Sequence, residues 1–206
     1  MITDRFAGAA VHTNLDVGSG PGVGSCILAG AFPEAMVTAV DASEALVVRA
    51  AARTERLGIG ARVSTRVGDL GEGLSTSEPV DLVWVSMMLH HVNDQEAALS
   101  ALRGVLRVGG WLAIAEFGAP LVCIPPDELG ADAGLLDRCQ AAVRDWLPDQ
   151  LPTGPAAPNG PLTALQSALE RTGFNCVEHT TPALSCRLHC RSRPAGSSCN
   201  PSFVCA

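Results

Sequence analysis

The residues best suited to chemistry on a bound ligand cluster in Leu15-Asp16-Val17-Gly18-Ser19-Gly20-Pro21-Gly22-Val23-Gly24. A buried strand ending at Val17 must turn through glycines into an apolar run, Val23 to Ala31, that can begin a helix. Such a turn aims backbone N–H groups at one spot, with the positive end of the helix macrodipole behind them. Glycine keeps the backbone open to a ligand and accepts positive φ. The expected ligand is a nucleotide-like cofactor. The dinucleotide spacing G-x-G-x-x-G fails in each register, because the third glycine would fall at Val23, Ser25 or Ile27. A phosphate loop ending in Gly-Lys-Ser/Thr is excluded, since the chain has no lysine. The pattern that fits is acidic-x-Gly-x-Gly-x-Gly, as Asp16, Gly18, Gly20 and Gly22.

The elements that must position this turn follow in order. The spacing predicts a helix over 23–31, closed by Pro33, a strand over 35–40 ending in Asp41, and a helix capped by Ser43 that Gly58 and Gly60 stop. A third strand runs over 62–67 before Gly68-Asp69-Leu70, and a fourth over 80–86 before Met87-Met88-Leu89-His90-His91-Val92. Asn93 or Asp94 caps a helix to about Leu106; Val108-Gly109-Gly110 turns into a fifth strand over 111–117. Further helices are expected over 127–147 and 162–172, separated by a Pro/Gly/Ala-rich loop, with a sixth strand over 174–180. Strands alternating with helices predict an α/β, Rossmann-like, doubly wound and mostly parallel sheet, whose ligand sits at the carboxyl ends of the strands. The glycine turn, Asp41, Asp69 and Ser86 all fall at such ends.

A length of 206 residues suits one domain with a real core. The net charge of −7 argues against nucleic acid as a partner. No run is long and apolar enough for a membrane span and no signal peptide precedes the first strand, which predicts a cytoplasmic protein of unspecified oligomeric state. Cys26, Cys123, Cys139 and Cys176 read as apolar fillers in a reducing compartment.

Residues 14 to 117 resemble the core of class I S-adenosylmethionine (SAM)-dependent methyltransferases. The resemblance rests on the glycine turn, Val40-Asp41-Ala42-Ser43, Gly68-Asp69-Leu70, and Leu106-Arg107-Val108-Gly109-Gly110-Trp111, with Val108 where the family usually has proline. It implies SAM as cofactor and a small molecule as methyl acceptor, through oxygen, nitrogen or carbon. By the same resemblance Gly18, Ser19, Gly20 and Gly22 pack on the methionyl and ribose part, and Asp16 accepts from loop N–H groups or the cofactor's ammonium. Asp41, beside Ala42, takes the ribose hydroxyls, as an acceptor-only carboxylate suits a cis-diol. Asp69 accepts from the adenine amine, Leu70 packs on the ring, and Ser86 and Met87 line the sulfonium. In-line transfer from a sulfonium draws mostly on proximity and orientation. His90 or His91 could serve as a base, or could merely open the following helix and close the pocket. No Asn/Asp-Pro-Pro-aromatic or Pro-Cys motif follows the fourth strand, and the acid pattern of a magnesium-dependent catechol enzyme is not evident.

The two ends depart from the family pattern. Only 13 residues precede Asn14, where covering helices are usual, and nothing after Cys186 reads as the final antiparallel strand. The expected division is a short segment 1–13, a SAM-binding domain 14–185 and an irregular tail 186–206. That tail has three arginines, four cysteines and no acid. Cys186, His189, Cys190, Cys199 and Cys205 could be a metal site, though the spacing is irregular; otherwise the tail is disordered or out-of-frame sequence. Two other functions compete with methyl transfer. One is a truncated, inactive remnant that binds SAM or a partner. The other, which the glycine register disfavours, is an NAD(P)-dependent oxidoreductase.

Overall fold

Five of the apolar runs become the strands of one sheet: β1 (Thr13–Val17), β2 (Met36–Asp41), β3 (Val63–Val67), β4 (Val80–Ser86) and β5 (Leu106–Ala115). The structure, a computed structural model, describes residues 10–70, 74, 76, 78–116, 134, 135, 138, 139, 141, 142, 162–175, 184–186 and 203–205. The strand order is β3-β2-β1-β4-β5 and every pairing in this sheet is parallel. The chain leaves β1 toward β2 on one side and returns to β4 on the other. A crevice therefore opens at the carboxyl ends of β1 and β4, where ligands of open α/β sheets bind.

Helices α1 (Val23–Ala31), α2 (Glu44–Arg56), α3 (Gln95–Gly104) and α4 (Leu162–Arg171) flank the sheet among the described residues. Side chains alternate across a strand, so the sheet has a core on each face. Leu15 and Val17 join Val83 and Val85 under Leu99 and Leu102 of α3 and Ala168 of α4. On the opposite face Leu28 and Ala29 of α1 pack with Val37, Val63 and Leu82. Each fully buried leucine contributes about 2 kcal/mol of transfer free energy. Asn14 and Asp16, both buried, lie on the α1 face of the same strand.

The helix ends show how the turn chemistry works. Gly22 takes the left-handed N-cap position of α1. Ser43 is the N-cap of α2 but makes no side-chain cap bond; its own N–H is held by Asp41 Oδ1 at 2.9 Å. Asp94 caps α3 by accepting from the Ala97 N–H at 2.9 Å. Gly58, at φ 69°, ends α2.

Some boundaries differ from the expected ones. Helix α3 stops at Gly104, and β5 starts at Leu106 rather than Trp111. The reason is a register shift: Val80 pairs with Leu106 and Leu82 with Trp111, so residues 107–110 bulge out of one longer strand. Gly109 holds that bulge at φ 77°. The tail also forms an element. Leu184–Cys186 (β6) pairs antiparallel with Phe203–Cys205 (β7), joining residues on both sides of the expected boundary at 185. Phe174 and Asn175 are not in a strand, and the rest of the expected sixth strand lies outside the described residues. Within 127–147, Leu135, Arg138, Cys139, Ala141 and Ala142 are helical; the remainder, apart from a turn at Gly134, lies outside the described residues.

Candidate functional site

The glycine turn leaves β1 through three left-handed residues, Gly18, Gly20 and Gly22, at φ 69°, 55° and 79°. Its amides do not converge on a free spot as the sequence suggested. Gly18 and Ser19 donate to the Val40 carbonyl at 2.9 and 3.0 Å, and Gly22 donates to the Ser19 carbonyl at 3.0 Å. Gly20 donates to Asp41 Oδ2 at 2.8 Å. The turn is satisfied by its own scaffold, which suits a ligand without phosphates. A Cβ on Gly22 would stand 2.9 Å from Ala50 Cβ, and one on Gly18 would stand 2.5 Å from Met88 Cγ. A Cβ on Gly20 would meet nothing within 4 Å, so this glycine faces open space.

Asp41 joins three segments. Its carboxylate accepts from Gly20 and from Ser43, and its carbonyl accepts from the Gly68 N–H at 3.0 Å. Each carboxylate oxygen retains a further lone-pair direction. Ala42 beside it is exposed. Asp69 follows Gly68 and is exposed, while half-buried Leu70 packs against the core that holds Val17, Val40 and Val85.

Asp16 is 2% exposed and accepts a hydrogen bond from the Ser25 hydroxyl of α1 at 2.5 Å. Burial pushes its carboxyl up to about 6; Ser25 opposes that rise and the Asp41 charge adds to it. Gly24 makes room for this arrangement. A Cβ there would stand 3.0 Å from Asp16 Oδ2 and 3.1 Å from Trp84 Nε1. Trp84 Nε1, Ser19 Oγ and both polar side-chain atoms of Asn14 are buried without a hydrogen-bond partner among the described residues.

At the end of β4, Ser86 is half-buried and Met87 adopts φ 55°, a left-handed conformation unusual for a side chain of this size. Its N–H donates to the Ala115 carbonyl at 2.8 Å. Leu89, His90 and His91 form a separate 3-10 turn, so the histidines do not open α3. Glu116, just beyond β5, receives the Met88 and Leu89 N–H groups at 2.9 and 2.8 Å on Oε1, and its Oε2 lies 2.7 Å from His90 Nδ1. The His91 ring is exposed and 4.1 Å from the His90 ring. Partial burial pushes the His91 pKa down, as does neighbouring His90, against the pull of Glu116.

The fold thus gathers Asp16, Ser19, the three turn glycines and Asp41 directly, with Asp69 and Leu70 following through Gly68. Met88 brings the end of β4, with Ser86, Met87 and His90, against Gly18. Sequence reasoning missed Ser25, Trp84, Met88 and Glu116. Among the described residues no group of three or more His, Cys, Asp or Glu could hold a metal ion, and no helix is long and apolar enough to cross a membrane. Of the tail's candidate ligands only Cys186 and Cys205 fall among the described residues.

Residues 15–110 match a family model described as a methyltransferase domain. The chain is 35% identical over 136 residues to the 27-O-demethylrifamycin SV methyltransferase of Amycolatopsis mediterranei, covering 64% of this chain and 48% of that protein. It is 30% identical over 132 residues to the trans-aconitate 2-methyltransferase of Methylobacterium radiotolerans, covering 64% of this chain and 45% of that one. It therefore spans just under half the length of these curated relatives. Among solved structures, phosphoethanolamine N-methyltransferase 2 of Haemonchus contortus in complex with S-adenosyl-L-methionine shares the fold. Its TM-score is 0.61 at 23% identity, over 86% of this chain and 36% of that one.

Proposed function

We propose, from the premise that residues 15–110 are a methyltransferase domain of the class I fold, that the chain transfers a methyl group from SAM to a small-molecule acceptor. The observation that carries this reading is the open Gly20 at the sheet's switch point, with the Asp41 carboxylate 2.8 Å from its N–H. The residues present fit the cofactor. Ser19 Oγ is buried without a partner among the described residues, the turn needs no anion to satisfy its amides, and Asp41 keeps acceptor capacity for a ribose diol. Asp16, beneath the turn, suits a cationic ammonium, because a nearby positive charge favours its ionised form. Asp69 and Leu70 would hold the adenine, and Ser86 and Met87 would face the sulfonium side. When bound, SAM supplies an electrophilic methyl group on sulfur. The chain's own residues hold the two reactants in line and exclude water, the main sources of rate in such a displacement. The curated relatives are methyltransferases, which supports this activity and gives none to a nicotinamide-dependent reading. A cytoplasmic location belongs to the same proposal, and the free thiols of Cys26 and Cys139 suit a reducing compartment.

Calorimetry with S-adenosylhomocysteine (SAH), SAM and NADH tests it. One site for SAH and SAM, with no heat from NADH, is the expected result. Asp41→Ala removes an acceptor of charged hydrogen bonds worth about 3 kcal/mol, so SAH affinity should fall on the order of 100-fold. A cooperatively folded wild type that binds neither SAM nor SAH overturns the reading.

A further inference from the structure

Among the described residues five buried side-chain polar atoms have no hydrogen-bond partner, and three of them belong to Asn14 and Trp84. Both residues lie on the α1 face of the sheet, beside Asp16. Asn14 precedes Asp16 by two positions on β1, and Trp84 is the register partner of Asp16 on β4. Asn14 is 2% exposed, and its amide nitrogen and amide oxygen are both unbonded among the described residues. Protein interiors leave few such atoms, because an unmade hydrogen bond forfeits the solvation that bulk water gave. A polar cluster buried in this way signals a bound partner that the protein's own groups do not supply.

The chemistry of the cluster specifies that partner. Trp84 Nε1 only donates, Asn14 offers a donor nitrogen and an acceptor oxygen, and the Asp16 carboxylate accepts. N–H donors on two sides disfavour a metal cation, and the carboxylate disfavours an anion. A water molecule suits all three groups. It accepts from Trp84 Nε1 and donates to Asn14 Oδ1 and to Asp16, matching the about three hydrogen bonds that a buried water makes. Gly24 of α1 leaves the room. Asp16 Oδ2 and Trp84 Nε1 flank it, 3.0 and 3.1 Å from where a Cβ would stand, and Trp84 Nε1 makes no bond to the carboxyl. The Ser25 hydroxyl already donates to Asp16 Oδ2 at 2.5 Å, so the water is a further donor.

We propose that Asn14, Trp84 and Asp16 form a water-binding site beneath the glycine turn, and that its water is the donor that lets Asp16 carry a charge inside the fold. The site belongs to the scaffold and is independent of the ligand that the turn holds. Around Asp16, α1 contributes the Ser25 hydroxyl and the Cys26 thiol, β2 the charge of Asp41, and β4 the Trp84 indole. Burial raises the Asp16 carboxyl to about 6 and Asp41 adds to the rise, whereas each donor that reaches the carboxylate draws it down. Asn14 and Trp84 thereby act on Asp16 through the water they hold.

A high-resolution crystal structure of the full chain tests the site directly. An ordered water in hydrogen-bond contact with Asn14 and Trp84 Nε1 is the expected result. A dry pocket, or Asn14 and Trp84 bonded directly to protein groups, overturns the proposal. NMR reads the effect on Asp16. The Asp16 13Cγ resonance, assigned with Asp16→Asn, should titrate near pH 6. The Trp84 Nε1–H resonance, assigned with Trp84→Phe, should move with the same midpoint. Asn14→Leu keeps the branched shape and removes both polar atoms. It should move the Asp16 midpoint up by about one pH unit, since the water loses an anchor. An unchanged midpoint in a folded Asn14→Leu, or a wild-type Trp84 resonance that stays still while Asp16 titrates, overturns the water's role at Asp16. The wild-type crystal structure and titration decide the matter even where Asn14→Leu does not fold.

Discussion

Asp16 shows what a single residue contributes at this site and what it costs. The fold buries a carboxyl that would rather stay in water, and its pKa rises from 3.8 to about 6. A shift of roughly two units corresponds to about 3 kcal/mol. The sign follows from proton binding. The folded chain holds this proton more tightly than the unfolded chain, so the stabilisation is complete below 3.8 and lost as pH rises through about 6. Asp16→Asn keeps an acceptor for Ser25 and removes the titration. In urea melts, wild-type stability relative to Asp16→Asn should therefore fall by about 3 kcal/mol between pH 4 and pH 8. A flat difference would mean that the carboxylate is solvated in the folded state. The loss above pH 6 falls where an ionised Asp16 is useful, because a cationic ligand beside it would favour the charge that burial opposes. Calorimetry near pH 6 in buffers of different ionisation enthalpy should accordingly show proton release on SAM binding.

At the scale of elements, the turn between β1 and α1 separates two jobs that its glycines do differently. Gly22 lets α1 lie against α2, since a Cβ would meet Ala50 Cβ at 2.9 Å and its Cα at 3.0 Å. Gly22→Ala should cost about 3 kcal/mol, from left-handed strain and overpacking together. Gly20 has the same backbone hand but open space before it. Gly20→Ala should cost only about 1 kcal/mol in a thermal melt while weakening SAH binding at least 10-fold, because its methyl would enter the space that the proposed site gives to the ligand. Wild-type affinity in Gly20→Ala would remove the cofactor from this turn. The strand–turn–helix pattern was readable because period-2 and period-3.6 apolar runs, glycines and capping acids agreed from Asn14 to Gly104. The bulge of β5 was not, because Arg107 to Gly110 look like a turn and only pairing with β4 makes them part of a strand. The direction of the turn amides was also unreadable. It depends on the Val40 carbonyl and the Asp41 carboxylate of another strand. Glu116 escaped for the same kind of reason, since its partners are backbone groups 27 and 28 residues away.

Across the whole molecule, the parallel sheet gives its two edges opposite duties. Every strand of the five-stranded sheet points the same way, so the candidate site residues collect at the carboxyl edge, with the positive φ of Met87 and the raised pKa of Asp16. The amino edge holds a polar cluster that is fully paired. Asp81 at the start of β4 accepts from the His12 and Thr13 N–H groups at 2.7 and 2.8 Å and from the Thr13 hydroxyl at 3.1 Å, and it pairs with Arg107. Thr13 Oγ1 in turn accepts from the Asp81 N–H at 3.0 Å. This cluster ties the start of β1 to β4 and to the bulged base of β5, the three strands that bracket the crevice. Burial alone would raise the Asp81 pKa. The hydrogen bonds from His12 and Thr13 and the charge of Arg107 outweigh it, so the carboxyl sits below its usual value. Its stabilisation is therefore present above 3.8 and lost as pH falls below that, opposite in sign to Asp16. Asp81→Ala leaves the N–H groups of His12, which is exposed, and half-buried Thr13 without their acceptor and should cost about 2 kcal/mol. SAH affinity, measured on the fraction that remains folded, should stay within about twofold of wild type, since sites this far apart contribute additively. A variant that kept its stability but lost SAH binding would show that the strand starts, and not only their carboxyl ends, shape the site.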